Sequence, residues 1–371
     1  MRKPLILVTG ATGKTGAATI GQLLTQGYPV RALARCADER SERLKQAGIE
    51  VMVGSLEDEM DLRKAMAGVQ RAYYCPPLQP GTLRRATLFA AVALESSMEV
   101  VVVMSQWLAD ASHPAIHARE KWLSEKVFQW TRGLGVVTIN PGFFADNYLL
   151  ALEPIAHFGL MAMPLGDGLN APPSNEDIAR VIVGALVNPA PHIGKTYRPT
   201  GPKLLTPEEI AVIIGKALGR KVKYQNAPIK LFLKVAKSLG IDDFVLEELY
   251  WFLLDYQRNS FGVGAPTSAV LEVGGVEAEA FEMTAQRYVA NSVFRNRTIG
   301  STFTAIHNLV AGLLTPAPNP ESIAKRLKLP SLNHPSLAAD SPFWFDSHAM
   351  DSATSPSESL PQVQIRRIGV K

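Results

Sequence analysis

Residues 8–16 read Val8-Thr9-Gly10-Ala11-Thr12-Gly13-Lys14-Thr15-Gly16. The three glycines are spaced G-x-x-G-x-x-G. The apolar run Leu5-Ile6-Leu7-Val8 stands directly before them, and residues 15–26 behind them carry a helical period. Strand, glycine loop and helix in that order form a pyrophosphate cradle. Glycine lets the backbone turn tightly and approach the phosphates, and the helix start offers unpaired N–H groups and a partial positive charge. Without a ligand, the same triplet would serve as a tight strand–helix turn.

Working outward, the first 140 residues repeat this alternation. Short apolar runs at 5–8, 30–33, 51–53, 72–75, 100–104 and 136–139 predict strands. Helical stretches at 15–26, 39–47, 57–67, 83–96 and 114–132 lie between them. Apolar strands with no in/out alternation suit a parallel sheet covered on both faces. Their alternation with helices predicts an α/β doubly wound sheet. Gly27, Gly48, Gly68 and Gly133 close four of the helices, and Pro114 is expected in the first turn of the fifth.

After Pro141-Gly142 the pattern changes. Residues 154–173 read as a long connection. Helices are expected at 175–187, 229–239, 244–256 and 276–290, and strands at 195–199 and 221–224. One more helix should start at Thr206-Pro207, with Thr206 as its cap. The division that follows is a dinucleotide-binding domain over 1–150, a smaller α-rich, substrate-covering domain over 151–295 with segments returning to the sheet, and an extension over 296–371. Residues 331–371 hold many Ser and Pro without a period, so most of that tail is expected to be flexible. Phe343-Trp344-Phe345 is an apolar island within it, read as a contact onto the body or a docking segment for a partner.

The 371 residues leave room for two or three domains, and 47% apolar content supplies a sizeable core. The net charge of +4 is too small and diffuse for nucleic acid. Two cysteines, Cys36 and Cys75, exclude a disulfide framework. Residues 100–104 are far short of the about 20 apolar residues of a membrane span. The N-terminus lacks a signal-peptide pattern. A cytoplasmic protein with no metal site is expected.

The end of the second strand reads the ribose. NAD-preferring sites usually carry an acid there. Here the strand Val30-Arg31-Ala32-Leu33-Ala34 runs into Arg35, with no acid from 31 to 37. A guanidinium at that point would pair with a 2′-phosphate, with Lys14 as a second cation on the same group. NADP(H) is therefore expected over NAD(H), unless Arg35 is only a solvated charge.

The chain resembles the NmrA-like branch of the atypical short-chain dehydrogenase/reductases, which have a Rossmann cofactor domain. The resemblance rests on the glycine loop, on the 30–35 strand, on Gly54-Ser55-Leu56-Glu57-Asp58, on His117-x-x-x-Lys121 and on Asn140-Pro141-Gly142-Phe143-Phe144-x-x-Asn147. It spans about residues 3–290. It implies that Gly10, Thr12, Gly13, Lys14, Thr15 and Gly16 hold the pyrophosphate. By the same likeness Ser55 and Leu56 lie by the adenine, with Ser55 replacing the family's usual aspartate. Cys75, Pro76 and Pro77 would pass the nicotinamide ribose, while Pro141, Phe143 and Phe144 would lie beside the nicotinamide and substrate.

The resemblance also implies a Ser–Tyr–Lys catalytic set. Ser105 takes the serine position, Lys121 the lysine position, and His117 stands where the tyrosine would be. Residues i and i+4 share a helix face, so His117 and Lys121 can meet one substrate. Lys121 would bind the nicotinamide ribose and, with His117 as an acid near neutral pH, supply a proton. Ser105 or Gln106 would steady an oxyanion. The plainer alternative pairs Lys121 with Glu125 on a solvated surface opposite an apolar stripe of Ile116, Leu123, Val127 and Trp130. Phe143, Phe144, Tyr148 and residues 160–165 are expected to line an apolar substrate site. Two functions stay open. One is an NADPH-dependent oxidoreductase passing hydride to an apolar carbonyl, quinone or conjugated acceptor. The other is a non-catalytic NADP(H)-sensing regulator acting through a protein partner; a homo-oligomer also stays open.

Overall fold

The chain is described by a computed structural model over residues 3–292 and 299–349. Its strands there are β1 (Ile6–Val8), β2 (Val30–Ala34), β3 (Glu50–Val53), β4 (Arg71–Tyr74), β5 (Val100–Met104), β6 (Gly135–Ile139), β7 (Leu160–Met163), β8 (Thr196–Tyr197) and β9 (Lys223–Asn226). Seven of them form one all-parallel sheet in the order β3-β2-β1-β4-β5-β6-β8. The order reverses between β1 and β4, which opens a crevice at their carboxyl ends. The doubly wound α/β fold expected from the sequence is the fold observed.

Alternate strand residues enter two separate cores, as a period of two requires. On one face Ile6, Val8, Val100 and Val102 pack with Ile20 and Leu23 of α1 (Lys14–Thr25) and with Ile178, Val181 and Ile182 of α8 (Asn175–Val187). On the other, Leu7, Ala72, Val101 and Val103 meet Leu62 of α3 (Glu59–Met66), Phe89 of α4 (Thr82–Glu95) and Phe128 of α5 (Ile116–Trp130). Helix α2 (Glu39–Gln46), capped by Asp38, completes the β2–β3 crossover. All five residues of β5 are buried, which explains its unbroken apolar run.

Helix α5 departs from expectation in two ways. It begins at Ile116, past Pro114. Its buried face is polar: His117, Lys121, Ser124 and Glu125 point inward with Ala118 and Phe128, while Trp130 is 67% exposed. The apolar stripe read from periodicity is thus not the packed face. Burial here follows what lies under the helix, which is a hydrogen-bonded network described below.

Helices α6 (Ala145–Leu149) and α7 (Leu152–Phe158) follow β6. Residues 160–163, expected as connection, form β7 and pair with β9. That pairing bridges more than sixty residues, so no local pattern announces it. A third core lies here, built on Phe143, Tyr148, Met161, Leu253, Tyr256, Phe261 and Phe281. It is walled by α9 (Pro207–Ala217), α10 (Ile229–Ser238), α11 (Asp243–Gln257) and α13 (Phe281–Ala290), whereas α12 (Ala269–Gly274) packs on α8 in the first of the sheet's two cores. Thr206 caps α9 as expected: its Oγ1 accepts from Glu209 N at 3.1 Å, and Glu209 Oε2 accepts from Thr206 N at 2.9 Å.

The extension is more ordered than expected. It contains α14 (Ile299–Leu314), α15 (Pro320–Arg326) and α16 (Pro342–Ala349). Helix α14 packs on α10, and α15 on α11. Trp344 of α16 is buried, and its Nε1 donates to the Trp107 carbonyl at 2.7 Å. Trp344 is therefore the island's contact onto the body, while Phe343 and Phe345 are exposed; residues 350–371 lie outside the described residues. Among the described residues, no helix is long and apolar enough to cross a membrane.

Candidate functional site

The glycine loop closes β1 onto β4. Gly10 sits at φ 60°, and a Cβ there would lie 2.9 Å from the Cys75 carbonyl oxygen. Any side chain at Gly16 would collide with the Gly10 carbonyl. Thr9 staples the strand ends: its Oγ1 accepts from Cys75 N at 2.7 Å and donates to the Tyr73 carbonyl at 3.2 Å. Thr15 is buried and its hydroxyl accepts from Tyr73 at 3.2 Å, so its side chain is structural. Helix α1 starts at an exposed Gly13 with no side-chain cap. The amides of its first turn have no helical acceptor. A tight turn, no side chains in the way and an uncapped helix start fit a dinucleotide pyrophosphate. Thr12, half-buried, lies in this loop.

The two cations expected on one phosphate do not share a partner. Lys14 is ion-paired with Asp146 of α6 and lies 5.7 Å from the Tyr288 ring centre. Arg35 is exposed at the end of β2, with Nη1 3.5 Å from Gln79 Oε1. Arg35 thus stands exposed at the β2 end beside Gln79, while Lys14 is held by a carboxylate of α6. Asp146 carried no sequence signal because its partner is 132 residues away.

Ser55 is exposed at the β3 end, and its Oγ accepts from Glu57 N at 3.1 Å. Leu56 is a core residue packed beside Leu62, which corrects its assignment to the adenine contact. Cys75 and Pro77 are half-exposed and Pro76 is buried after β4. Pro141 is buried after β6. Phe143 and Tyr148 are also corrected. Phe143 lies within 5.1–5.9 Å, centre to centre, of Tyr148, Phe252, Tyr256 and Phe261, and neither side chain lines a cleft. Met161, Met163 and Leu165 are core as well. Phe144 is half-buried and packs against the sheet core.

At the end of β5 the inward face of α5 meets the crevice. Lys121 Nζ donates to the Met104 carbonyl at 2.6 Å. The next residue, Ser105, donates to the Glu125 carboxylate, which also accepts from Asn140 Nδ2 at 3.0 Å. This overturns the surface pair of Lys121 with Glu125: both are buried, and Glu125 is occupied by Ser105 and Asn140. His117 shares the face with Lys121, as the spacing requires. Its Nδ1 lies 3.2 Å from Thr82 Oγ1, and its backbone N donates to Glu248 Oε1 at 2.8 Å.

Burial sets the proton chemistry. It pulls the Lys121 ammonium down to about 8, against upward pulls from Cys75 and Glu125. It holds His117 well below its usual value, helped by the positive charges of Lys121 and Arg85. Burial thus disfavours the imidazolium that an acid role for His117 would need. Burial raises the Glu125 carboxyl, against hydrogen bonds from Ser105 and Asn140 that lower it. His113, four residues before His117, is not turned toward it. Its Nε2 is 2.7 Å from Asp255 Oδ2, and its Nδ1 accepts from Ala115 N.

Cys75 links the two halves of the site. Its carbonyl closes on Gly10, and its thiol is near enough to Lys121 to bear on the amine's charge. Glycine cradle and buried lysine thus border one crevice.

The NmrA-like family model matches residues 2–261. The chain belongs to the NmrA-like family. Among its relatives is the NAD(P)H azoreductase of Xenophilus azovorans, 29% identical over 250 residues, which are 66% of this chain and 86% of that protein. Quinone oxidoreductase 2 of Escherichia coli is 27% identical over 244 residues, 64% of this chain and 83% of the relative. Two solved structures share the fold. The E. coli NADPH-dependent quinone oxidoreductase, complexed with NADPH, superposes with a TM-score of 0.66 at 24% identity, covering 76% of this chain and 99% of that one. NmrA, a negative transcriptional regulator in complex with NADP, gives 0.61 at 17% identity, covering 80% and 94%.

The family match ends before α12, so α12 to α16 lie outside the matched residues. Sequence reading set Glu125 on a solvated surface and missed Asn140, Thr82 and Glu248 as members of this site. Asn140 stood inside a quoted motif; Thr82 and Glu248 needed the third dimension.

Proposed function

We propose that this NmrA-like chain is an NADPH-dependent reductase of an apolar acceptor: a quinone, a carbonyl or a conjugated double bond. The observation that carries the reading is the buried, hydrogen-bonded Lys121 at the edge of an uncapped glycine cradle. The azoreductase and quinone oxidoreductase among its relatives support the reaction class. When bound, the dinucleotide would supply the hydride.

The chain's own residues would do the rest. The first-turn amides of α1 bind phosphate, and Arg35 takes the 2′-phosphate that favours NADP(H). Lys121, at about 8, is mostly protonated at neutral pH and is the group able to deliver a proton from Nζ. The Met104 carbonyl fixes where that nitrogen sits. Ser105 has its one hydroxyl proton on the Glu125 carboxylate, which Asn140 also holds, so it fixes the end of β5 beside the lysine rather than an oxyanion. His117 remains neutral and positions the α4–α5 contact through Thr82. On this reading residues 1–150 hold the cofactor and 151–295 cover the substrate, apart from α8 and β8, which pack with the sheet.

The test is NADPH oxidation, followed by absorbance, with a panel of quinones, azo dyes, enones and aldehydes. Turnover that Lys121→Ala removes, with NADPH binding retained, is the expected result. Tight NADPH binding without turnover on any acceptor would favour the second reading, an NADP(H)-sensing regulator. The observation behind that reading is His117 in the tyrosine position, buried and held neutral.

A further inference from the structure

Helix α14 presents an apolar face that no described residue covers. Phe303, Ile306, Val310 and Leu313 recur at i, i+3, i+7 and i+10, so they form one stripe, and Leu314 extends it. Phe303 is 69% and Leu314 79% exposed. The opposite side of the helix is thin: Ala305 and Gly312 are its buried positions, and a Cβ on Gly312 would lie 2.8 Å from Val235 of α10. Most of the apolar area of α14 therefore faces outward.

The border of this face is cationic. Lys230, Lys234 and Lys237 of α10 form a stripe at i, i+4 and i+7. Its middle member reaches α14, where Lys234 Nζ donates to the Leu313 carbonyl. The basic stripe and the apolar stripe are thus contiguous. Acids are missing from both parent segments: residues 210–241 contain seven Lys and Arg with no Asp or Glu, and residues 283–320 contain no Asp or Glu either. Other exposed surface in this chain mixes the two signs, as α2 and α3 show with their Arg–Glu and Lys–Glu pairs.

We propose that the α10–α14 pair is a docking surface for an anionic lipid membrane, with the α14 stripe entering the interface and the α10 lysines meeting lipid phosphates. An apolar helix face beside a basic border is the chemistry that partitions into an anionic headgroup region without spanning the bilayer. A second copy of the chain fits less well. A two-fold contact would set the same surface against itself and oppose its lysine stripes.

The experiment is co-sedimentation of the full chain with vesicles. One set is phosphatidylcholine alone, and the other contains phosphatidylglycerol as well. Binding to the second set only, weakened by added salt, is expected. The double variant Lys230→Glu/Lys237→Glu should lower partitioning about tenfold, since each basic residue near an anionic surface contributes independently. Phe303→Ser/Val310→Ser should lower it by a similar factor, about tenfold, by removing inserted apolar area. Both pairs are exposed, so NADPH binding and the thermal melt should stay those of the parent. Absence of sedimentation, equal sedimentation with both vesicle sets, or binding indifferent to both variants would overturn the proposal. So would a dimer, detected by light scattering and dispersed by Phe303→Ser/Val310→Ser, in a chain that ignores lipid.

Discussion

At the glycine loop the working groups are backbone amides, and the side chains matter by their absence. On the inward face of α5 the working groups are side chains, and each is held by a partner from another element. Gly10 and Gly16 exclude any Cβ because Cys75 and Gly10 carbonyls stand against them. Lys121, Ser105 and His117 are placed by Met104, Glu125 and Thr82. The first arrangement is written in one stretch of chain. The second exists only after the sheet, α4, α5 and α11 have come together. One region therefore tolerates changes around it but none within it, while the other depends on its surroundings.

Substitutions can break that contrast. Lys121→Ala should lower kcat about a thousandfold while leaving NADPH affinity nearly intact, as loss of a proton donor does. Steady-state turnover set beside a direct binding titration checks it; an equal loss in both would make Lys121 a binding residue only. Gly16→Val should destabilise the fold by about 3 kcal/mol, because the new side chain meets backbone that cannot move aside. Urea unfolding measures this, and NADPH binding should vanish with it. Arg35→Asp should weaken NADPH by about thirtyfold and NADH hardly at all, the loss of one charge-assisted phosphate contact. Equal weakening of both would show that Arg35 does not read the 2′-phosphate.

The smallest effect is a pH effect. The Lys121 pKa falls from 10.5 in the open chain to about 8 when folded. Between those values the unfolded chain binds the extra proton, so stability rises with pH there and is flat below about 8. The rise should be about 1 kcal/mol from pH 8 to 9, absent in Lys121→Met. Turnover should move oppositely, declining as pH passes about 8 and the donor loses its proton. Paired melts of parent and variant across that range separate this contribution from all others.

How much was legible in the sequence follows the same line. The strands could be read because a sheet buried on both faces demands apolar runs such as Val100-Val101-Val102-Val103-Met104. The glycine loop could be read because glycine spacing encodes backbone shape directly. The face of α5 could not. Its apolar residues suggested one side, and the carbonyls and carboxylates beneath it selected the other. Leu56, Phe143 and Tyr148 were placed near ligand by position along the chain, but packing drew their side chains into cores. Strand β7 was invisible because its partner β9 is remote. Trp344 could be seen as an island, yet only the structure supplies Trp107 as its mate.

That last contact spans 237 residues. A ribosome adding roughly 5–20 residues per second needs about 10–50 seconds to travel that far. During this interval the sheet, whose strands end at residue 197, has already emerged, while the Trp107 carbonyl still waits for its indole donor. The newborn chain thus passes through a stage with a formed sheet and an unpaired Trp107 carbonyl beside it. Synthesis of α16, rather than collapse of the sheet, closes that corner of the molecule.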